Sequence, residues 1–267
     1  METLMLDLPV RGQSVRLACL RRAGPRLPLV CLHGFGSTKE DYADLALHPA
    51  FEGRELFFWD APGCGESDAS DADALSVPFL VDVAMAACDA LGIERFHLSG
   101  HSMGGLTGLL LADAAPDRVL SFIDIEGNVA PEDCFLSRQI IDHPAETPEA
   151  FLAGFIERVK VRPEFSSALY AAALPLKVRP ETCRPIFQSM VDLSERGGLM
   201  DIMARLPLPR IFIFGAQNRH LSYLSHLPNI GVEVEEILHS GHFPMYSNAP
   251  ALWAAMAAFL DRQEARA

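Results

Sequence analysis

Short apolar runs, each ending on a turn-forming cluster, recur through the first half of this chain with helical patterns between them. This rhythm constrains the fold more than any other feature. Leu29-Val30-Cys31-Leu32 stops at His33-Gly34, and Glu55 to Trp59 stops at Asp60-Ala61-Pro62-Gly63. Arg95-Phe96-His97-Leu98 stops at Ser99-Gly100, and Val119 to Ile125 stops at Glu126-Gly127. Val77 to Leu91 carries apolar residues at helical spacing, and Met103 to Ala114 is a second helical segment. Short strands alternating with helices predict a parallel sheet covered on both faces, since each crossover lays a helix over it. Leu4 to Leu8 and Val15 to Leu20, flanking Arg11-Gly12-Gln13, predict an antiparallel hairpin at one edge.

The rhythm breaks after Glu126. From Gly127 to about Leu206 no strand pattern is found, but Thr147-Pro148-Glu149, Arg162-Pro163-Glu164 and Arg179-Pro180-Glu181 each read as a helix start. Proline at the first helical position costs no hydrogen bond, and an early Glu suits the positive end of the helix dipole. Strands resume at Arg210 to Phe214 and Val232 to Leu238, and a closing helix is expected from about Pro250 to Arg262. The expected division is a core of residues 1–126 and 207–267 and a helical insertion of 127–206.

With 267 residues and a net charge of −13, the chain is expected to be one large domain that avoids nucleic acid and anionic membrane surfaces. No window approaches the ~18 apolar residues of a membrane span. The N-terminal segment has early acidic residues and lacks the apolar stretch of a secretory signal. Six cysteines form no Cys-x-x-Cys pair, and Cys31 and Cys88 lie in apolar segments. A reducing, cytoplasmic location is expected.

Open parallel sheets assemble their sites at the carboxyl ends of the strands. There the segment Gly100-His101-Ser102-Met103-Gly104 fits a sharp strand-to-helix turn that thrusts a serine hydroxyl outward. A serine hydroxyl is a weak nucleophile without a base. Among nine histidines, His242 follows the last expected strand, and Gly241 frees its loop. His239 is the weaker rival; His97 reads as a core or sheet residue and His101 as packing inside the turn, while the loop histidines carry no motif. His33-Gly34-Phe35-Gly36 is the candidate oxyanion turn, its Phe35 N–H joining that of Met103. A plain β-turn would explain its glycines, but not their coincidence with the turn around Ser102.

These motifs, with Asp60-Ala61-Pro62-Gly63-Cys64-Gly65-Glu66-Ser67, occur in an order that resembles the α/β-hydrolase superfamily in its serine-nucleophile, capped, esterase-like form. The resemblance covers nearly the whole chain. It implies an α/β-hydrolase fold with a mostly parallel eight-stranded sheet flanked by helices, a helical cap after strand 6, and a Ser–acid–His triad. Most of the superfamily carries its acid in a turn after the seventh strand, where this chain has Gly215-Ala216-Gln217-Asn218. An amide at Asn218 can hold a ring but cannot stabilise an imidazolium by charge. The sixth strand offers Asp124 and Glu126, which simple alternation puts on one face. Glu126 lies nearer the strand's exit and is the favoured acid, as in relatives that include a subset of haloalkane dehalogenases. Dehalogenase chemistry itself is excluded, because it needs a carboxylate where Ser102 stands. Asp60 and Ser67 read as turn-fixing residues, and Lys39 and the acidic run Asp68 to Asp73 as solvated surface.

The expected reaction is hydrolysis of a small to medium apolar carboxylic ester, or a thioester or lactone, through an acyl-enzyme on Ser102 with His242 as base. No metal or organic cofactor is called for, and no His-Glu-x-x-His pattern occurs. The partner is a small-molecule substrate; monomer and homodimer both stay open. Phe135, Phe151, Phe155, Phe165, Leu169, Tyr170, Phe187 and Met190 are candidates for an apolar pocket wall. A carbon–carbon bond hydrolase of meta-cleavage type would instead need a basic residue for a substrate carboxylate, with Arg138, Arg158, Arg162 and Lys177 available. A ligand receptor on the same scaffold is the third reading.

Overall fold

The computed structural model describes residues 1–265. The expected hairpin is β1 (Glu2–Val10) and β2 (Gln13–Arg22), joined at Arg11 and Gly12, whose φ angles are 48° and 79°. Two successive left-handed residues match the turn that follows the natural strand twist, and Gly12 adopts it without a side-chain penalty. The remaining strands are β3 (Arg26–Leu32), β4 (Arg54–Trp59), β5 (Phe96–His101), β6 (Val119–Ile125), β7 (Arg210–Gly215) and β8 (Glu233–Ile237). They lie in the order β1-β2-β4-β3-β5-β6-β7-β8, with β3 to β8 mutually parallel and the hairpin antiparallel at one edge. A two-residue strand, Asp68–Ala69, adds to β2, so the first residues of the acidic run are sheet-bound.

Helices α1 (Val77–Ala90) and α2 (Met103–Ala114) cover the sheet where the periodicity predicts them. Ser76 caps α1 by accepting a hydrogen bond from the Phe79 N–H. All residues of β5 and β7 are buried, as strands covered on both faces must be.

Between β6 and β7 lie α3 (Gln139–Asp142), α4 (Pro148–Lys160), α5 (Ser167–Lys177), α6 (Cys183–Arg196) and α7 (Leu199–Arg205). Thr147-Pro148 starts α4, with Thr147 Oγ1 accepting from Ala150 N–H, and Pro180 opens a turn of 3-10 helix that leads into α6. Arg162-Pro163-Glu164 starts nothing. Glu164 is chelated by Arg162 at 2.7 and 3.1 Å, and Ser166, at φ 69°, is left-handed, so α5 begins only at Ser167. Phe151, Phe155 and Phe187 pack together inside this helical segment. After β8 follow α8 (Pro244–Ser247) and α9 (Ala249–Glu264). No described helix is long and apolar enough to cross a membrane.

The segment is laced to the loop after β4. Gly65 N–H donates to Lys177 O at 2.9 Å and Arg179 N–H to Gly63 O at 3.1 Å. Lys39 is not solvated surface. It is buried, with its ammonium 2.9 Å from the Asp60 carboxylate, which also accepts from the Lys39 and Glu66 N–H groups. Burial alone would pull the ammonium's pKa down, but hydrogen bonds to Glu40 and Asp60 outweigh it and hold the group protonated. Ser67 Oγ accepts from Ala18 N–H at 2.8 Å, so Asp60 and Ser67 are tied into the scaffold. All six cysteines are buried free thiols.

Candidate active site

Ser102 sits between the last residue of β5 and the first of α2, at φ 53° and ψ −118°. Such a conformation costs a non-glycine residue about 1–3 kcal/mol and persists only where its surroundings enforce it. The glycines show how. A Cβ on Gly100 would lie 2.2 Å from Gly104 O, and one on Gly104 would lie 2.2 Å from Leu32 O. On Gly105 it would meet Gly127 Cα at 2.6 Å, and on Gly34 it would meet Ser102 Cβ at 3.1 Å. Strands β3, β5 and β6 therefore close on the serine with no room for side chains at those positions.

His242 lies in the loop after β8. Its Nδ1 is 2.8 Å from Glu126 Oε2, so Nδ1–H donates to the carboxylate and Nε2 is left with the lone pair a base requires. Glu126 directly follows β6 at φ 48° and is buried. Its Oε1 accepts from Gly215 N–H at 2.7 Å, and its Oε2 also accepts from Asn218 Nδ2 at 2.6 Å. The two positions weighed as alternatives are therefore used together, with Glu126 as the carboxylate and Asn218 as a donor to it. No hydrogen bond among the described residues joins Ser102 Oγ to the imidazole, but the two line one small cavity. Serine–imidazole bonds of this kind often tighten only when substrate binds.

Asp124 does not share the environment of Glu126, despite their spacing. Its Oδ1 accepts from Gly127 N–H at 2.7 Å and lies against Gly105, while Oδ2 is buried without a partner. Burial pushes its carboxyl pKa up to about 8, so it is protonated at neutral pH. Simple alternation fails here because the left-handed Glu126 turns the chain out of the strand. His239 is exposed and leaves the field to His242.

The candidate oxyanion turn, His33 to Gly36, is held from three sides. Gly34 O accepts from Ser37 N–H at 3.1 Å, and His33 accepts from Ala61 N–H through Nε2 at 2.8 Å. Tyr170 of α5 donates its hydroxyl to Phe35 O at 2.8 Å. Within the described residues, the N–H groups of Phe35 and Met103 donate to no protein acceptor.

His101 has a role that sequence reasoning missed. Its ring is buried, and Nε2 donates to the backbone carbonyl of His242 at 2.7 Å. Burial, and next the nearby His242, hold its pKa well below the usual imidazole range, so it stays neutral. It ties the serine turn directly to the loop that presents the base.

The apolar candidates divide. Phe135, Tyr170, Phe187 and Met190 line the cavity at Ser102, whereas Phe151 and Phe155 pack within the helical segment. Phe165 and Leu169 are exposed. Among the basic candidates, Arg138 pairs with Glu195, Arg158 with Gln139, and Lys177 with Asp41. Arg162 lines a second cavity beside His242, but Glu164 holds it. Among the described residues, no three His, Cys, Asp or Glu side chains group as metal ligands would.

A family model described as alpha/beta hydrolase fold matches residues 28–180. The chain is 33% identical over 137 residues to the pimeloyl-[acyl-carrier protein] methyl ester esterase of Aeromonas hydrophila, covering 51% of this chain and 49% of that one. It is 41% identical over 99 residues to the dihydrolipoyllysine-residue acetyltransferase component of the acetoin cleaving system of Pseudomonas putida, covering 35% of this chain and 25% of that one. The matches thus span between a quarter and about half of these curated relatives. A thermophilic esterase from Thermogutta terrifontis shares the fold, with a TM-score of 0.76 over 98% of this chain and 99% of that one, at 18% identity.

Proposed function

Because the chain belongs to the alpha/beta hydrolase fold family, we propose that it is a serine hydrolase cleaving carboxylic esters through an acyl-enzyme on Ser102. The observation that carries this reading is the hydrogen bond from His242 to Glu126 beside a strained serine turn. The likeness to a methyl ester esterase supports an ester as the substrate.

In this reading His242 Nε2 takes the hydroxyl proton as Ser102 Oγ bonds to the acyl carbon. The carbonyl oxygen becomes an oxyanion, held by the N–H groups of Phe35 and Met103. Glu126 keeps Nδ1 protonated and stabilises the imidazolium that forms. Collapse breaks the bond to the leaving oxygen, which takes the proton from Nε2. A water then gives its proton to His242 and attacks the acyl-enzyme, and Ser102 recovers its proton as the acid departs. The helices between β6 and β7 act as the lid, supported by Tyr170, Phe187 and Met190 at the cavity. The pairing of Arg162 with Glu164 weighs against an anchor for a substrate carboxylate, and so against carbon–carbon bond hydrolysis.

The test is hydrolysis of p-nitrophenyl esters, with Ser102→Ala as control. The wild-type protein should turn over at least one ester, and the variant should lose about 10⁴-fold or more in kcat/KM. Equal rates for the two proteins, or no turnover of any ester, thioester or lactone, would refute the proposal.

A further inference from the structure

Two cavities meet at His242, and they differ in size and lining. The inner one, at Ser102, has a volume of about 10 Å³ and is walled by Phe35, Tyr170, Phe187 and Met190. The outer one is about 120 Å³ and has a mixed lining, with Glu132, Arg162, Glu164 and His220 beside Val159, Leu221 and Tyr223. Asp133, Phe135, Leu136, His242 and Phe243 line both, and so form the partition between them. A cavity needs about 10–15 Å³ to hold one water. The chamber at the nucleophile therefore has room for about one water-sized group.

The partition is built on fixed backbone. Asp133 Oδ2 accepts from the Val129 and Ala130 N–H groups, both at 2.8 Å, and its Oδ1 accepts from the Tyr223 hydroxyl at 2.7 Å. This anchors the turn Pro131–Phe135. The Phe135 ring stands edge-on to His242, with centroids 4.9 Å apart at 84°. The Arg162 guanidinium covers the ring at 5.2 Å and is itself held by Glu164.

Resting on the ester-hydrolase reading above, we infer that Phe135 sets acyl-chain specificity, restricting the site to esters of short acyl groups whose alcohol occupies the roomier outer cavity. Ser102 and Phe35 both line the inner chamber, so the acyl carbon and its carbonyl oxygen sit there. The alcohol, whose leaving oxygen must receive its proton from His242, extends past the imidazole into the larger cavity, and the acyl chain keeps the inner one. Of all acyl chains, an acetyl methyl asks least of that space. Each further methylene of the acyl chain must displace Phe135, whose ring is clamped between His242 and Arg162.

The experiment is kcat/KM for p-nitrophenyl acetate, butyrate and hexanoate with wild type, Phe135→Trp, Phe135→Leu and Phe135→Ala, with thermal unfolding of each. Wild type should prefer acetate to hexanoate at least tenfold. Phe135→Ala should lower that ratio tenfold or more, Phe135→Leu should fall between, and Phe135→Trp should raise it. If the alanine variant fails to fold, the leucine and tryptophan variants must still move the ratio in opposite directions. A ratio constant within twofold across the folded variants, or a wild-type preference for hexanoate, overturns the role of Phe135 while leaving ester hydrolysis intact. No turnover of any ester overturns both.

Discussion

Two glycine-rich loops stand at the same edge of the sheet, one after β4 and one after β5, and they solve different problems. In the first, the Asp60 carboxylate takes hydrogen bonds from the Lys39 ammonium and from two backbone N–H groups, and the Ser67 hydroxyl takes another. Its polar groups are spent on one another. In the second, Ser102 is forced into a costly conformation and faces a cavity with His242. The motifs look alike in sequence. What separates scaffold from site is whether the polar groups are consumed internally or left pointing at a space a substrate can enter.

That contrast can be broken at Asp60. Asp60→Asn leaves the buried Lys39 ammonium to Glu40 and Glu66, whose carboxylates are largely exposed, so the cost should approach but not exceed the ~3–5 kcal/mol of a fully broken buried pair. Denaturant unfolding should show a loss of this size, while kcat of the protein that remains folded should change less than threefold. A normal stability with a collapsed kcat would move Asp60 from scaffold to site.

A second contrast lies within β6, where Asp124 and Glu126 are both buried but only Glu126 meets His242. The folded-state pKa of Asp124, about 8, is above the ~3.9 of an unfolded chain, so folding favours its protonated form. Its contribution to stability is full below about pH 4, declines as pH rises, and is lost once pH passes the folded value of about 8. Asp124→Asn cannot ionise, so its stability relative to wild type should climb between pH 5 and pH 9. Unfolding curves at several pH values check this, and parallel pH dependences would contradict it.

The strand rhythm, the hairpin and the turn at Ser102 were legible because each depends on residues close in sequence. The departures all involve partners that sequence spacing cannot show. Lys39 reads as surface until Asp60, in the loop after β4, covers its charge. His101 reads as packing because its acceptor is 141 residues away. Asn218 and Glu126 read as rivals, since a carboxylate and an amide at separate strand ends look like two answers to one need. Their hydrogen bond at 2.6 Å makes them parts of one. Arg162-Pro163-Glu164 has the composition of a helix start, but the ion pair between its own ends shapes a turn instead. Phe165 and Leu169 show the remaining limit, because apolar residues mark a pocket only when they face inward.

The central claim is that Glu126 supplies the charge of the triad and Asn218 only helps to hold it. The direct measurement is kcat/KM on one good ester for Glu126→Gln and Asn218→Ala, with the unfolding temperature of each. Glu126→Gln should fall by about 10³–10⁴-fold, the range expected when a carboxylate partner of the base loses its charge. Asn218→Ala should fall by less than about 100-fold, since one hydrogen bond to a charged group is worth about 1.5–3 kcal/mol. The reverse ranking in two folded variants would contradict the account.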